Sequence, residues 1–507
     1  PFELIQVNAK RPQTRHAGAI VNKHMSLGMV LLVSCLAGAQ EPVPPVPAEP
    51  VGQWITEFDL RMRAESWDWF APPQGGNDYA YGHARLRARL GYRIPREVEA
   101  LLEIQDVQML GLPDQAIGPG GIGQMGLGGI LYGHSARVNS NSGGIRQAYL
   151  KVGDLEDVQV QVGRMEYSSG AQVMPTDPSL AQLKRTRIKD RLIGTFDFSA
   201  YARTFDGIRV DGDSGEFHVS AFAARPTQGG FEPNFSHSMS DVFVSELAVT
   251  TRQSELLSDG EAQLFWNYYD DHRKVPQVDN RPVARRGQIF ATGGNQIHTV
   301  GFHLLHKLGE KGDFLAWYAH QAGSWGAQSH RADAFTLELG YQWKEADWQP
   351  WLRSGYSYFS GDSDPNDGVH STFYPMLPTI RPYAMTPFYT EANLKDVFVQ
   401  LMLKPTAQTT ARFDAHLLNL ASARDLWYAG SGATQNQGAI QGFAGRPGGG
   451  GSHLGTLVDL GLDHQLDSNQ KLSFYAGHVF GGDVPAANYM ASPNANFFFL
   501  EYQLKVP

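Results

Sequence analysis

One cysteine in 507 residues, Cys35, leaves no disulfide framework to brace a fold and no cysteine cluster to bind zinc. Positive charge is also short: 42 Lys and Arg stand against 51 Asp and Glu, a formal charge of -9, so nothing global calls for a nucleic-acid partner. Any cationic site must be local. Long apolar runs are missing as well. Beyond residue 39 no segment approaches the roughly 20 apolar residues of a membrane-spanning helix, so the remainder is either water-soluble or a closed barrel that crosses with strands. What the chain does have is 55 glycines, 20 tyrosines and 42% hydrophobic residues, enough for a large, turn-rich β-structure.

Residues 1–39 read as an upstream extension and signal peptide. Lys23 and His24 precede Met25, the expected start; an apolar stretch from Leu27 to Leu36 follows, then Ala37, Gly38 and Ala39 as an A-x-A cleavage site before Gln40. The string LVSC, Leu32 to Cys35, also fits a lipoprotein cleavage box, so a lipidated Cys35 is an alternative. This part carries Lys10, Arg11, Arg15 and Lys23 against Glu3, so the exported chain is more acidic than the whole. Residues 40–53, with EPVPPVPAEP, read as a stiff Pro-rich periplasmic spacer. Residues 54–507 remain to fold.

Their dominant signal has a period of two. In HARLRARLGYR, Arg85, Arg87, Arg89 and Arg93 share one side of a strand while Ala84, Leu86, Ala88, Leu90 and Tyr92 share the other. TEFDLRMRAE sets Phe58, Leu60, Met62 and Ala64 against Glu57, Asp59, Arg61, Arg63 and Glu65. AFTLELGYQW and the closing FFFLEYQLKV repeat the pattern, although the last ends Val506-Pro507 rather than on an aromatic residue. About eighteen such segments can be marked. Short turns at Pro95, Asp154, Asp211, Gly309, Lys344 and Leu466 alternate with long loops at 111–143, 168–199, 271–295, 361–393, 421–452 and 481–496. That rhythm predicts an all-β, antiparallel, up-and-down transmembrane barrel in a bacterial outer membrane.

In a barrel the apolar side meets lipid. Arginine facing lipid at mid-membrane costs about 2–4 kcal/mol, so the arginine side is predicted to face an aqueous lumen. Parity assigns Arg61, Arg63, Arg85, Arg87, Arg89, Arg203, Arg209 and Arg353 inward; Arg164 breaks parity with Val158 to Val162 and joins them only through a bulge. Interleaved acids, Glu57, Asp59, Glu65 and Glu103, leave two readings open. One is a ladder of salt bridges that fills the lumen; the other is an electropositive track offering guanidinium donors to an anionic solute.

Several stretches, in order, resemble the alginate export family of outer-membrane porins: LRMRAESW, HARLRARLGY, LLEIQDVQMLG, QAYLKVGDLEDVQVQVGR, YARTFDGIRVDG, RSGYSYFSGDSDPNDG with FYPMLPT, and AGHVFGGD. The resemblance implies an eighteen-stranded monomeric barrel whose narrow cationic pore exports an anionic polysaccharide, with periplasmic export components as possible partners alongside the membrane lipid. It also places Glu103 and Asp106 of EIQD with the inward arginines. After VGR this chain reads MEYSSGAQ, a departure that marks a rebuilt loop.

GDSDPNDG offers Asp362, Asp364, Asn366 and Asp367 at near calcium-loop spacing, with an Asx-rich turn as the alternative. Ser363 in the same string is a poor nucleophile among acids, and no other cofactor or catalytic group is expected. Parity puts His298 and His303 on opposite faces, so with His306 they form no metal cluster. The rival reading of the whole chain is a general or differently selective anion or sugar porin.

Overall fold

The computed structural model describes residues 52–74, 76–116, 124–251, 257–273, 275, 278–282, 294–379, 385–436 and 442–507. The expected signal peptide with Cys35, and the spacer apart from residues 52 and 53, lie outside the described residues.

The two-residue alternation becomes eighteen long antiparallel strands. They are β1 (Gln53–Asp68), β2 (Asp78–Ile94), β3 (Val98–Leu110), β4 (Ser140–Gly153), β5 (Gln159–Met165), β6 (Phe205–Ser214), β7 (Phe217–Pro226), β8 (Val242–Thr251), β9 (Gly260–Asp271) and β10 (Asn295–Leu308). They continue as β11 (Gly312–Trp325), β12 (Gln328–Gln342), β13 (Trp351–Phe359), β15 (Leu394–Leu403), β16 (Thr409–Leu420), β19 (His453–Gln465), β20 (Gln470–Gly481) and β21 (Ala495–Val506). Short strands β14 (Val369–His370), β17 (Leu426–Gly430) and β18 (Phe443–Pro447) belong to the loops between them. Successive long strands pair, and β1 pairs β21 from Phe58↔Val506 to Asp68↔Asn496, which closes the sheet. The even strand number returns the end of β21 to the rim where β1 begins, the rim of the short turns.

Two connections differ from expectation. The turn placed at Asp211 comes later, because β6 runs through Ser214 and the chain reverses at Gly215, whose φ of 58° suits glycine. On the long-loop rim β11 and β12 are joined by Gly326 and Ala327 alone, so the long-short rhythm breaks once.

Outward positions are apolar over the middle of each strand: Leu86, Leu90, Ile104, Leu247, Val300, Leu337 and Val397 are all exposed. Aromatic rings edge this belt. Trp54 meets Tyr92 at 5.2 Å and Tyr341 meets Trp343 at 4.7 Å near the short turns, while Trp266, Tyr268 and His298 stack nearer the long loops. Among the described residues no helix is long and apolar enough to cross a membrane.

The inward face is not polar throughout, as a simple aqueous lumen would have it. Trp67, Tyr81, Met109, Phe205, Phe222, Trp317 and Phe497 point inward and are buried against inward-folded loops, whose Trp69, Phe70, Phe388 and Trp427 complete an aromatic core. The half of the barrel near the long loops is therefore packed by the protein's own chain.

Candidate functional site

The site begins with β1 and β2, whose register sets Arg61 opposite Arg85, Asp59 opposite Arg87 and Glu57 opposite Arg89. Cross-strand neighbours share a face, so four arginines and two acids are pressed together on the lumen side. Arg61, Arg63, Arg85, Arg87 and Glu103 are buried inward, Arg89 is partly so, and Arg353 lies on the inward face of β13.

None of these guanidiniums lines an open track. Arg63 Nη2 lies 2.6 Å from Glu501 and Nη1 3.2 Å from Glu65. Arg85 Nη2 donates to Asp59 at 3.1 Å, and Arg89 reaches both Glu57 and Glu103. Arg353 is held by Asp313 and by Glu338, the latter at 3.1 Å. Arg209, inward on β6, lies 2.6 Å from Asp211.

Three of the inward candidates, and the metal candidates, need correction. Arg164 stays on the outward face: β5 keeps an unbroken register against both neighbours, and Arg164 and its cross-strand partner Asp206 sit two residues from the exposed Val162 and Ile208. Its guanidinium holds Asp206 with bonds of 2.7 and 2.8 Å. Asp106 also faces outward, because a spacing of three from Glu103 crosses to the other face of a regular strand; it accepts from Gln108 at 2.8 Å. Arg203 precedes β6 in an inward-folded loop, where it donates to the Ser431 carbonyl at 2.7 Å and, among the described residues, has no ion pair with a wall strand's acid. Among the Asx residues, Asp362 and Asp364 each accept the backbone N–H two residues on, at 2.9 and 3.0 Å, and Asp367 accepts that of Val369 at 2.8 Å. Those are Asx-turn bonds, with Asn366 a donor in the second, and among the described residues no three acidic, histidine or cysteine ligands converge on a metal position.

A bulge does bring an extra arginine inward, one strand earlier than expected. The β3–β4 register shifts between Glu103 and Ile104, so Arg146 and Gln147 both turn into the barrel. Arg146 Nη1 donates to Glu103 at 2.7 Å, and the group also holds Glu166.

The element that organises the site is the connection 166–204 between β5 and β6. It folds into the barrel, carrying helix α1 (Pro178–Leu183) and a π-helical turn (Lys184–Ile188). Asp177 caps α1 by accepting from Ser179 and Leu180 at 2.9 and 3.0 Å, and Lys307 of β10 pins Asp177 at 3.1 Å. Lys184 meets Glu261 at 2.5 Å, Arg187 meets Glu338 at 3.2 Å, and Arg191 meets Glu391 at 3.4 Å. Further along, Asp197 enters the arginine wall. Arg85 Nη1 and Arg87 Nη2 donate to its Oδ1 at 2.9 and 2.6 Å; Arg146 Nη2 lies 3.9 Å from the same oxygen and Arg61 Nη1 3.7 Å from Oδ2. Arg61 also donates to the backbone carbonyls of Asp197 and Ser199, at 2.6 and 2.9 Å. The Asp197 side chain keeps 46% of its surface open, whereas Arg85 and Arg87 beneath it are almost closed off.

Burial opposes ionisation of Asp197, but Arg85, Arg87 and Arg61 override it and hold the carboxyl well below the ordinary range. Six arginines (61, 63, 85, 87, 89 and 146) here face seven carboxylates (Glu57, Asp59, Glu65, Glu103, Glu166, Asp197 and Glu501). The cluster is close to neutral. The part played by this connection, the strap 166–204, could not be read from strand parity, since a loop that folds inward has none. A signal was present all the same in the basic run KRTRIKDR, Lys184 to Arg191.

Comparison with known proteins now bears on this geometry. The alginate export family model matches residues 54–497. The chain belongs to the alginate export family. Among solved structures it is similar to OccAB2 of Acinetobacter baumannii, with a TM-score of 0.52 at 12% identity over 90% of this chain and 98% of that one. It is also similar to Pseudomonas aeruginosa OccK8 (OprE), with a TM-score of 0.50 at 11% identity over 90% and 98% of the two chains. OpdK of the same organism, solved with vanillate, gives 0.50 at 10% identity over 89% and 98%. No curated protein matches. At these identities the structural likeness concerns the fold, and with the family it makes this alginate export barrel a multi-pass protein of the bacterial outer membrane and an outer-membrane channel.

Proposed function

We propose that the protein is a monomeric, selective outer-membrane channel for carboxylated solutes, with an alginate-like polyuronate as the polymeric case and export as its direction. The observation that carries this reading is the cradle of Arg61, Arg85, Arg87 and Arg146 around one half-open carboxylate, Asp197. A wall that gathers four guanidiniums about a carboxylate supplied by a loop has the donors to hold one supplied by a solute. The family name and the vanillate bound by OpdK both concern carboxylates, which supports the same class. The salt-bridged ladder supports this less directly than an open cationic track would, because its charge is nearly cancelled.

That cancellation favours a second reading, a porin with little charge preference. One measurement separates the two: the reversal potential of the refolded protein in a planar bilayer under a salt gradient, followed by current block with uronate oligomers and with neutral oligomers of equal length. Anion preference with block by the uronate alone supports the carboxylate channel. Equal permeability and no selective block would leave the general porin.

A further inference from the structure

We propose that Arg185 and Lys189, on the free face of the strap, are the cationic contacts that a carboxylated solute meets inside the barrel; this rests on the carboxylate reading above. The strap lies within the lumen because its partners are inward side chains of the wall: Glu261 on β9, Lys307 on β10, and Glu338 and Gln342 on β12. Any residue of it that is exposed therefore faces lumen water.

The basic run is divided between two faces. Lys184, Arg187 and Arg191 are buried against the acidic wall, where Arg187 also covers the Phe398 ring at 4.3 Å and Arg191 the Trp317 ring at 4.6 Å. Arg185 is exposed and Lys189 keeps 41% of its side chain open. The π-turn makes the division possible. Its wider repeat, closed by the Lys189 N–H on the Lys184 carbonyl at 2.9 Å, lets the buried residues reach the wall while positions four apart share the opposite side.

What distinguishes this pair from the accessible cations on the inward face of the wall strands is the lack of a wall acid. Arg93 is matched with Glu99, Lys471 with Asp463 and Lys505 with Asp59. Arg185 has no ion pair among the described residues, and the carboxylate near Lys189 is its own neighbour Asp190, at 3.8 Å. A positive potential that the wall cancels elsewhere is thus left standing on the strap, at a place a solute can reach without dislodging Asp197. The ligand class that fits is a carboxylate, and two cations four positions apart on one segment suit a chain carrying repeated carboxylates.

The test uses the full refolded chain in a planar bilayer, comparing wild type with R185Q/K189Q and R185K/K189R. The probes are a hexameric polyuronate and a neutral hexasaccharide. Expected are a rise of at least tenfold in the half-blocking uronate concentration for the glutamine variant, a fall in its anion over cation permeability, and wild-type behaviour for the conservative variant. Both positions are accessible, so each variant should retain the heat-dependent gel mobility of a folded barrel. Unchanged block and permeability in R185Q/K189Q would overturn the proposal. A wild type without anion preference or uronate block would instead overturn the carboxylate reading beneath it.

Discussion

Replacing Asp197 by Asn removes one negative charge from the arginine wall and leaves the shape of the side chain intact. Its stability cost is limited. The two short bonds, 2.9 Å from Arg85 and 2.6 Å from Arg87, would each contribute about 1.5–3 kcal/mol if fully buried. The side chain is 46% exposed, however, and solvent screening brings the total nearer ~1–2 kcal/mol. Arg85 keeps Asp59, Arg146 keeps Glu103, and Arg61 keeps Glu501 and two strap carbonyls, while Arg87, whose one ion pair among the described residues is with Asp197, keeps the Gln105 side-chain oxygen at 2.7 Å. The barrel and the strap's course should survive. The electrical effect is larger: a unit charge about 6 Å from a passing ion contributes roughly 0.7 kcal/mol in a water-like dielectric and roughly 2.8 kcal/mol at an effective value near 20. The ratio of anion to cation permeability should rise by about threefold at the least, since 1.4 kcal/mol is tenfold. Reversal potentials under a potassium chloride gradient measure this directly. A ratio unchanged, or moved towards cations, would show that ions do not pass beside Asp197 and would refute the cradle as part of the conduction path.

Neutralising Arg85, Arg87 and Arg89 together with Gln should move selectivity towards cations and free the strap, because Asp59, Asp197 and Glu57 lose partners and breaking a buried pair costs about 3–5 kcal/mol; protease cleavage within 166–204 of an otherwise folded barrel is the readout. Leu337→Arg, on the lipid side of β12, should cost about 2–4 kcal/mol in urea unfolding from lipid vesicles, whereas the wild-type Arg353 on the inward face of the adjacent strand is tolerated. Burial raises the carboxyl of Asp425, in an inward loop, to about 6. A raised carboxyl stabilises the folded loop fully below the ordinary carboxyl range and loses that contribution as pH rises through its folded value. Proteolysis of the loop 421–452 should therefore be slowest near pH 4–5 and fastest above pH 7; the opposite trend would mean that Asp425 is not buried neutral.

Strand parity was legible wherever a strand is regular. Arg61, Arg63, Arg85, Arg87, Arg89 and Arg353 face inward because a period of two, with lipid on one side, permits one solution. Asp106 came in with a motif although three residues separate it from Glu103, and the backbone does not allow both on one face. The bulge invoked for Arg164 occurs at Arg146, where the preceding Gly143 and Gly144 gave no periodic cue. Arg203 lies before its strand begins. The acids that neutralise the ladder were visible for β1 and β3, while Glu501 and Asp197 belong to it through barrel closure and loop insertion, which pair residues 438 and 112 positions apart in sequence. No local pattern encodes those.

The charge of the interior is best understood as two walls of opposite character joined by one strap. β1 to β4 carry the arginines around Asp197, while β9, β11, β12, β15, β16 and β19 carry Glu261, Asp313, Glu338, Asp396, Asp414 and Asp459. Each wall is already largely paired within itself, the arginines with Glu57, Asp59, Glu65, Glu103 and Glu501, the acids with Arg353, Arg412 and His416. The strap adds to both with one segment, since its basic end reaches Glu261 and Glu338 and its Asp197 reaches Arg85 and Arg87. Its two ends are held unequally: three ion pairs with little exposure fix Lys184, Arg187 and Arg191, whereas Asp197 is open on one side. A solute carboxylate competing for the arginine wall therefore displaces a single side chain, with the basic end and the Arg61 bonds to strap carbonyls keeping the loop in place. On the proposed carboxylate reading, the exchange would replace one carboxylate by another in the same cradle with little charge separation, and selectivity for carboxylates would follow from the group that has to be replaced.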